Sequence, residues 1–522
     1  MEHDRRLNRP SRTSLIAFSA IPVLVIVVFV LLPLGNLAVT AFSPTALRAT
    51  LTEKRTWSVL GATFLQATVS TLCTVAIGIV PGLSLARHNF RGRSTVLGLL
   101  AAIFVLPTVA MAAGVNMLLP GDSRGLLAIV IAHTIFNLAV IVRSLAATPI
   151  PSPLERAART LGASPVHVFR TVTLPLIRST LTSACLIVFT LCFTSFGVVR
   201  ILGTTRATTL EVEIWREAIM LGRIDRGLVL ALLQVATIGL AITVVRRHRT
   251  AHFDTSPRTP ATPMARLAIV VLCGALASPI VALALGSIRA NGHYTLSAWA
   301  RLFDTTVRPG LSLGVNPRNA LITSLLVALV ATTMTSIITG SGVLSTALLR
   351  RVGFIVNGLS LLPLGISAVT IGLGLLITFD HAPFDWRANW MLIPLGHALI
   401  ATPFALRPAM AALRTLNPQR TSAAQLLGAP PLRAHITAIR SVAAAPLLTG
   451  IGLATAISLG EFGATSMLSR SGAETLPVVI EKLLGRTGGD FYARGHALAL
   501  LLSLATMGAV FIMDRWAERV RR

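Results

Sequence analysis

Lysine is nearly missing from this chain: Lys54 and Lys482 are the only two among 522 residues. A P-loop nucleotidase needs a lysine directly after glycine, in G-x-x-x-x-G-K-[ST], to reach the terminal phosphates. Here the lysines follow Glu53 and Glu481, so the chain carries no such site and ATP hydrolysis is expected elsewhere. Cysteine is scarce too. Cys73, Cys185, Cys192 and Cys273 all fall in apolar segments without metal-ligand or disulfide spacing, and read as small buried hydrophobes. Aromatic residues make up 5%, which gives no sign of a large stacking site for a ring-bearing substrate. No H-E-x-x-H, G-x-S-x-G or paired-cysteine metal motif rises above background. No catalytic residue and no metal ligand is assigned, and a membrane-embedded enzyme would need a polar cluster inside the spans that the sequence does not offer.

What is present is apolar. Hydrophobic residues make up 53%, charged residues 12%, and the mean hydropathy is +0.75. A soluble chain could not hide that much apolar surface, so the composition defines an all-α polytopic membrane protein. The net charge of +27 comes almost wholly from arginine in short loops between apolar runs, a pattern of membrane topology rather than of a clustered nucleic-acid face. Bilayer-length stretches lie near 15–41, 60–86, 95–119, 125–148, 176–199 and 227–245. They recur near 266–288, 319–348, 354–379, 391–412, 443–466 and 494–513. That is about 12 transmembrane helices, six plus six, with Pro33, Pro107 and Pro363 inside spans. The first run is too long for a signal peptide and reads as an uncleaved span.

The arginines set the expected orientation. With the N-terminus cytoplasmic, the inner segments hold Arg5, Arg6, Arg9 and Arg12, then Arg87, Arg91 and Arg93, then Arg156, Arg159 and Arg170, then Arg246, Arg247, Arg249 and Arg258. The outer loops carry Arg48, Lys54, Arg55, Arg206, Arg216 and Arg223, offset by Glu53, Glu211, Glu213, Glu217 and Asp225. Residues 246–265 are polar, rich in Pro and Thr, and aperiodic. They divide the chain into a first module (1–245), a cytoplasmic linker (246–265) and a second module (266–522).

The modules repeat. Ala157-Ala158-x-x-x-Gly162 returns as Ala423-Ala424-x-x-x-Gly428, 266 positions on. The same offset pairs Phe196-Gly197 with Phe462-Gly463, and Thr209-Leu210-x-Val212-x-Ile214 with Thr475-Leu476-x-Val478-x-Ile480. Self-similarity at a fixed offset over roughly fifty residues marks a duplication. An even span count per module lets the copies lie parallel, facing each other across an axis along the membrane normal. In the first copy, Ser152-Pro153-Leu154-Glu155 has the form of a capping box with proline at the first helical position. Leu154, Ala157, Ala158 and Leu161 then line one face of a short helix, and Gly162 ends it. A second helical stretch through Val166, Phe169, Arg170 and Val172 follows, and Leu174-Pro175 leads into the next span. Asn417-Pro418, with Ala423, Ala424, Leu427 and Gly428, repeats the plan. Small alanines on a capped surface helix, present twice at one spacing, read as a pair of docking elements.

This pattern resembles the EAA loop of permease subunits of binding-protein-dependent ABC importers, E-A-A-x-x-x-G-x(9)-I-x-L-P. The likeness extends over nearly all of both modules, and His133-x(9)-Arg143 and His397-x(9)-Arg407 repeat ahead of each loop. Arg156 and Ser422 stand at the family's glutamate position, with Glu155 one residue early, and the second copy has Ala438, Arg440 and Ser441 in place of Ile, Leu and Pro. The resemblance implies a type I importer permease fold and a multi-pass chain of a bacterial cytoplasmic membrane with both termini inside. It implies two cytoplasmic ATPase subunits, identical to each other, which carry ATP and Mg, and an extracytoplasmic solute-binding protein. No cofactor is expected on this chain. Glu155, Ala157, Ala158, Gly162, Leu174, Pro175, Ala423, Ala424 and Gly428 are the implied coupling residues, and the departures imply that the two loops grip unequally.

Two-module chains of this length resemble thiamine and iron(III) importer permeases, with sulfate, polyamine and phosphonate permeases as alternatives. Ser195-Phe196-Gly197 and Glu461-Phe462-Gly463 are the expected translocation-path segments. An ionisable Glu461 in an apolar span is costly, and is expected either to counter a cationic substrate or to serve a structural partner. His133 and His397 read as hydrogen-bonded packing residues, because a metal site wants three or more convergent ligands. An ion-coupled secondary transporter or channel is the other reading; it would share the repeats and need no paired docking loops.

Overall fold

The computed structural model describes residues 20–120, 123–148, 150, 152–244, 258–308, 311–360, 362–380, 389–470 and 472–521. The arginines at positions 5 to 12, most of the linker, and the Ser152 side chain read as an N-cap lie outside the described residues. The first module runs through α1 (Ala20–Ala41), α2 (Lys54–Arg87), α3 (Arg93–Phe104), α4 (Thr108–Leu118), α5 (Leu126–Ala146), α6 (Ser152–Thr160), α7 (Pro165–Phe193), α8 (Gly197–Leu202), α9 (Leu210–Trp215) and α10 (Ile224–Val244). The second follows the same plan. Its helices are α11 (Pro263–Ser287), α12 (Pro317–Leu348), α13 (Arg350–Leu359), α14 (Ala368–Phe379), α15 (Leu392–Leu413), α16 (Pro418–Leu426), α17 (Pro431–Gly460), α18 (Gly463–Leu468), α19 (Leu476–Leu484) and α20 (Gly489–Arg521). Strand is confined, among the described residues, to three short pairs, one of which joins His88–Asn89 to Thr259–Pro260 in parallel.

Local chemistry sets these bounds. Pro263 and Pro317 occupy first helical positions, where a missing N–H costs nothing. Thr262 accepts from the Ala265 N–H at 3.2 Å and Asn316 from the Asn319 N–H at 3.1 Å. The second module's helix therefore starts at Pro263, inside the segment read as linker. Within the spans, hydroxyls of Thr63, Thr71 and Thr74 fold back onto carbonyls one turn earlier, at 2.6–2.7 Å. A hydroxyl so bonded can face an apolar medium.

Nine described helices are long and apolar enough to cross a bilayer, or ten when the bent pair α3–α4 counts as one span. That is fewer than the twelve even spans read from the sequence. The stretch near 95–119 is not one helix: α3 and α4 meet at 102°, with Pro107 at the corner, where it can neither donate an N–H nor fit its ring against the preceding turn. Its counterpart near 354–379 is also broken, around Pro363, and α14 restarts with Ser367 accepting from the Thr370 N–H at 2.9 Å. Conversely, α7 begins at Pro165 and α17 at Pro431, each about three turns earlier than its apolar run, so each continues a surface segment directly into the membrane.

The modules exchange their first helices. α1 packs against α14 of the second module, and α11 packs against α4 of the first. Each exchange puts a proline of the incoming helix onto a glycine. A Cβ on Gly114 would lie 2.5 Å from the Pro279 carbonyl oxygen, and one on Gly374 would lie 3.3 Å from the Pro33 Cβ. Without a hydrophobic drive between helices in lipid, association depends on such close backbone approach. Phe29 against Phe379 (centroids 5.6 Å apart) and Asn36 Nδ2 donating to Thr378 Oγ1 at 3.3 Å complete the α1–α14 contact. Gly114→Leu is therefore expected to lower the unfolding free energy by about 1–3 kcal/mol through overpacking. Gly98→Leu, at a site with nothing within 4 Å, should be near neutral. Thermal melts of the detergent-purified variants check this, and equal melting temperatures would refute the exchange as a packing constraint.

Candidate functional site

Two short surface helices, α6 and α16, end alike. In α6 the Gly162 N–H donates to the Arg159 carbonyl at 3.0 Å and the Ala163 N–H to the Ala158 carbonyl at 3.1 Å. In α16 the Gly428 N–H donates to Gln425 at 2.9 Å and the Ala429 N–H to Ala424 at 3.1 Å. Gly162 and Gly428 hold φ of +85° and +87°, the left-handed conformation that closes such a Schellman turn and that a side chain disfavours. Each turn presents an uncovered leucine: Leu161 is 88% exposed and Leu427 89%. Ala157 and Ala423 are exposed, while Ala158 and Ala424 are half-buried. Large apolar side chains left this bare at matched positions call for a covering partner. The repeat seen in the sequence is thus a repeat of shape.

The two helices are anchored differently. Glu155 is buried, with its carboxylate ion-paired to Arg87 at the end of α2. The Thr173 hydroxyl donates to the same Oε1 at 2.5 Å, and Arg87 Nη2 donates to Thr173 Oγ1 at 3.2 Å. Glu155 therefore ties α6 to α2 and α7 through the half-buried Arg87. Arg156, at the family's glutamate position, is exposed. In the second copy, Arg420 Nη1 donates to Ser441 Oγ at 2.9 Å, and Asn417 Oδ1 caps α16 through the Gln419 N–H at 2.9 Å. Leu174 and Pro175 do not mark a boundary; both sit inside α7, directly after a wide π-turn over Phe169–Thr173 that makes room for the proline ring.

Deeper in the protein the expected path segments meet. Ser195, Phe196 and Gly197 join α7 to α8, and Glu461, Phe462 and Gly463 join α17 to α18. The Phe196 and Phe462 rings meet at the junction of the modules with centroids 5.1 Å apart and planes tilted by 34°, both buried. A Cβ on Gly197 would lie 2.2 Å from Thr108 Oγ1 and 3.3 Å from the Phe462 ring. Glu461 Oε1 accepts the Ala464 N–H at 3.1 Å and caps α18. His133 Nε2 pairs with Ser195 Oγ at 2.8 Å; His397 pairs with Ser458 at 2.9 Å and Thr465 at 2.7 Å. Both histidines hold the ends of the pore helices through hydroxyls.

Sequence reading missed several residues here. Thr63 Oγ1 accepts the Leu210 N–H at 3.0 Å and Ser324 Oγ the Leu476 N–H at 2.7 Å, so one hydroxyl of α2 and one of α12 seats the start of α9 and of α19. Arg200 reaches across the modules to Glu481 at 2.9 Å while lying 4.4 Å from the Trp215 ring centroid. Glu211, read as an outer-loop charge, is fully buried: Gln234 Nε2 donates to its Oε1 at 2.8 Å, and its Oε2 has no protein partner. Several of the other loop charges are paired. Arg55 and Arg216 meet Glu213 at 2.5 and 3.2 Å, and Arg226 meets Glu53 and, at 3.6 Å, Glu217. Against the desolvation of burial, Arg55 and Arg216 hold the Glu213 carboxyl below its usual range.

Paired surface helices with exposed leucines stand on a duplicated, helix-exchanged bundle of apolar spans, the build of a membrane permease. Residues 74–251 match the family of binding-protein-dependent transport system inner membrane components. A protein of Haloferax volcanii named a probable molybdenum ABC transporter permease is 31% identical over 42% of this chain and 86% of its own. The thiamine transport system permease protein ThiP of Brucella abortus is 29% identical over 88% of both chains. ThiP of Escherichia coli is 25% identical over 82% of this chain and 84% of its own. The chain belongs to the binding-protein-dependent ABC importer permease family, and is a multi-pass membrane protein. In such systems ATP hydrolysis lies on separate subunits and a binding protein presents the solute.

The buried ion pair gives a test. Removing one member of a buried charge pair leaves the other unpaired, so Glu155→Gln should reduce ATP-driven uptake about tenfold or more. Arg156→Gln, at an exposed position, should retain it. Uptake assays on vesicles with matched permease levels check both, and the reverse order would restore the coupling role to position 156.

Proposed function

We propose that this chain is the pore of a thiamine importer, driven by two identical cytoplasmic ATPases that seat on α6 and α16. The observation that carries this reading is the likeness to thiamine permeases across 88% of both chains, joined to two exposed leucines at matched positions on those helices. The N-terminus, the C-terminus and the linker lie on the cytoplasmic side, and the modules span 1–245 and 266–522. Closure of the ATPases on ATP draws α6 and α16 together. Because α7 and α17 are continuous from that surface to Phe196 and Phe462, the movement reaches the aromatic junction as a rigid displacement. The rings part toward the outside, the binding protein releases its cargo, and hydrolysis resets the pore. Ser195, Gly197 and Gly463 give the junction its small cross-section.

Thiamine carries a permanent cationic ring, and the junction offers two carboxylates, Glu461 and the buried Glu211. Desolvated negative charge in the path favours a cation over neutral solutes. Reconstitution with the cognate ATPase and binding protein in proteoliposomes tests the assignment: labelled thiamine should accumulate only with ATP. A bulky Gly162→Trp should abolish that uptake while leaving membrane insertion intact, and Glu461→Gln should slow it. Uptake surviving Gly162→Trp would disprove coupling through α6, and unchanged thiamine uptake in Glu461→Gln would remove its counter-ion role.

A further inference from the structure

The end of the bundle that carries α6 also holds a cavity of about 1070 Å³ between the end of α2, α6 and the start of α11. Four arginines line it: Arg87, Arg156, Arg159 and Arg258. Among the described residues Glu155 is the single lining carboxylate, and it is already committed to Arg87. Arg87 keeps a buried Nε without a hydrogen-bond partner among the described residues. Arg156, Arg159 and Arg258 are exposed at its mouth, and with Arg87 they make a basic, partly enclosed space beside an apolar wall, which attracts an anion.

The other wall is apolar and bare. Val80, a lining residue on α2, is 52% exposed and Met264, a lining residue on α11, is 77% exposed; Ile77 and Leu267 extend the same faces at 53% and 63%. A free phosphate would use the arginines and leave this wall, and most of the volume, unused. A molecule with an anionic phosphate at one end and a hydrocarbon chain at the other uses both, and basic pockets between spans at a membrane surface suit such headgroups.

We propose that this cavity binds one anionic phospholipid, its phosphate among Arg87, Arg156 and Arg258 and its acyl chain along the bare faces of α2 and α11. The lipid joins three elements that share no single covalent or ionic tie: the end of the second span, the first surface helix, and the start of the second module. The second copy has Thr421 where the first has Glu155, so the site belongs to the first module alone among the described residues.

Native mass spectrometry of the full-length permease, purified in detergent and offered phosphatidylglycerol or phosphatidylcholine, tests it. One phosphatidylglycerol should be retained in preference to phosphatidylcholine. Arg258→Gln and Arg156→Gln should each weaken retention about fivefold. Arg266→Gln, exposed on α11 but not lining the cavity, should leave it unchanged. Equal retention of the two lipids, or undiminished phosphatidylglycerol in both lining variants, would overturn the proposal. So would its displacement by millimolar inorganic phosphate, which would mark a free-anion site, or by the ATPase subunit, which would mark a protein interface.

Discussion

The reciprocal seating of a proline on a glycine, Pro279 on Gly114 and Pro33 on Gly374, is the contact on which the rest of the molecule depends. In a bilayer, helices gain little from hiding apolar surface from one another, so a permease must be held by shape. By lending its first helix to the other module, each half makes separation of the two costly, while polar contacts such as Arg200 with Glu481 and Thr370 with Gln234 cross between them. The consequence is a molecule whose periphery is interlocked and whose modules meet at the tilted Phe196 and Phe462 rings. A contact of this kind is held by packing, and can open and reform without breaking a buried ionic network.

Continuity of the long helices turns that architecture into a transmission. α7 leaves the surface turn after Gly162 and runs unbroken to Phe193, and α17 does the same from Pro431 to Gly460. A displacement at either surface helix therefore arrives at Ser195 or Glu461 without a hinge to absorb it. The supporting hydroxyls and histidines matter in the same way. His133 on Ser195, His397 on Ser458 and Thr465, and the Thr63 and Ser324 hydroxyls under α9 and α19 fix the far ends of the levers. Asymmetry enters at the near ends, where Glu155, Arg87 and Thr173 bind α6 by charge and Arg420 with Ser441 binds α16 by a single hydrogen bond.

Periodicity and composition carried far in this chain because both follow from short-range rules. Apolar run length gives the spans, glycine after an alanine-bearing surface helix gives its stop, and a fixed 266-residue offset gives the duplication without any contact being known. Gly162 and Gly428 were legible because only the backbone conformation at one residue decides them. Glu155 was legible as a special residue of a first helical turn, while its pairing with Arg87 was not, since that depends on whether the end of α2 comes near.

What the amino-acid order determined by itself was an all-helical membrane chain, its repeat, and the two capped surface helices, each being a matter of neighbours within a few turns. Only the tertiary structure decided that the first helices change partners, that proline corners break two of the spans, and that Glu211 is interior while Arg156 faces out. Those outcomes depend on which distant helix comes close. In a bilayer that is settled by side-chain shape and by where a lone charge can find its opposite, neither of which is written in local sequence.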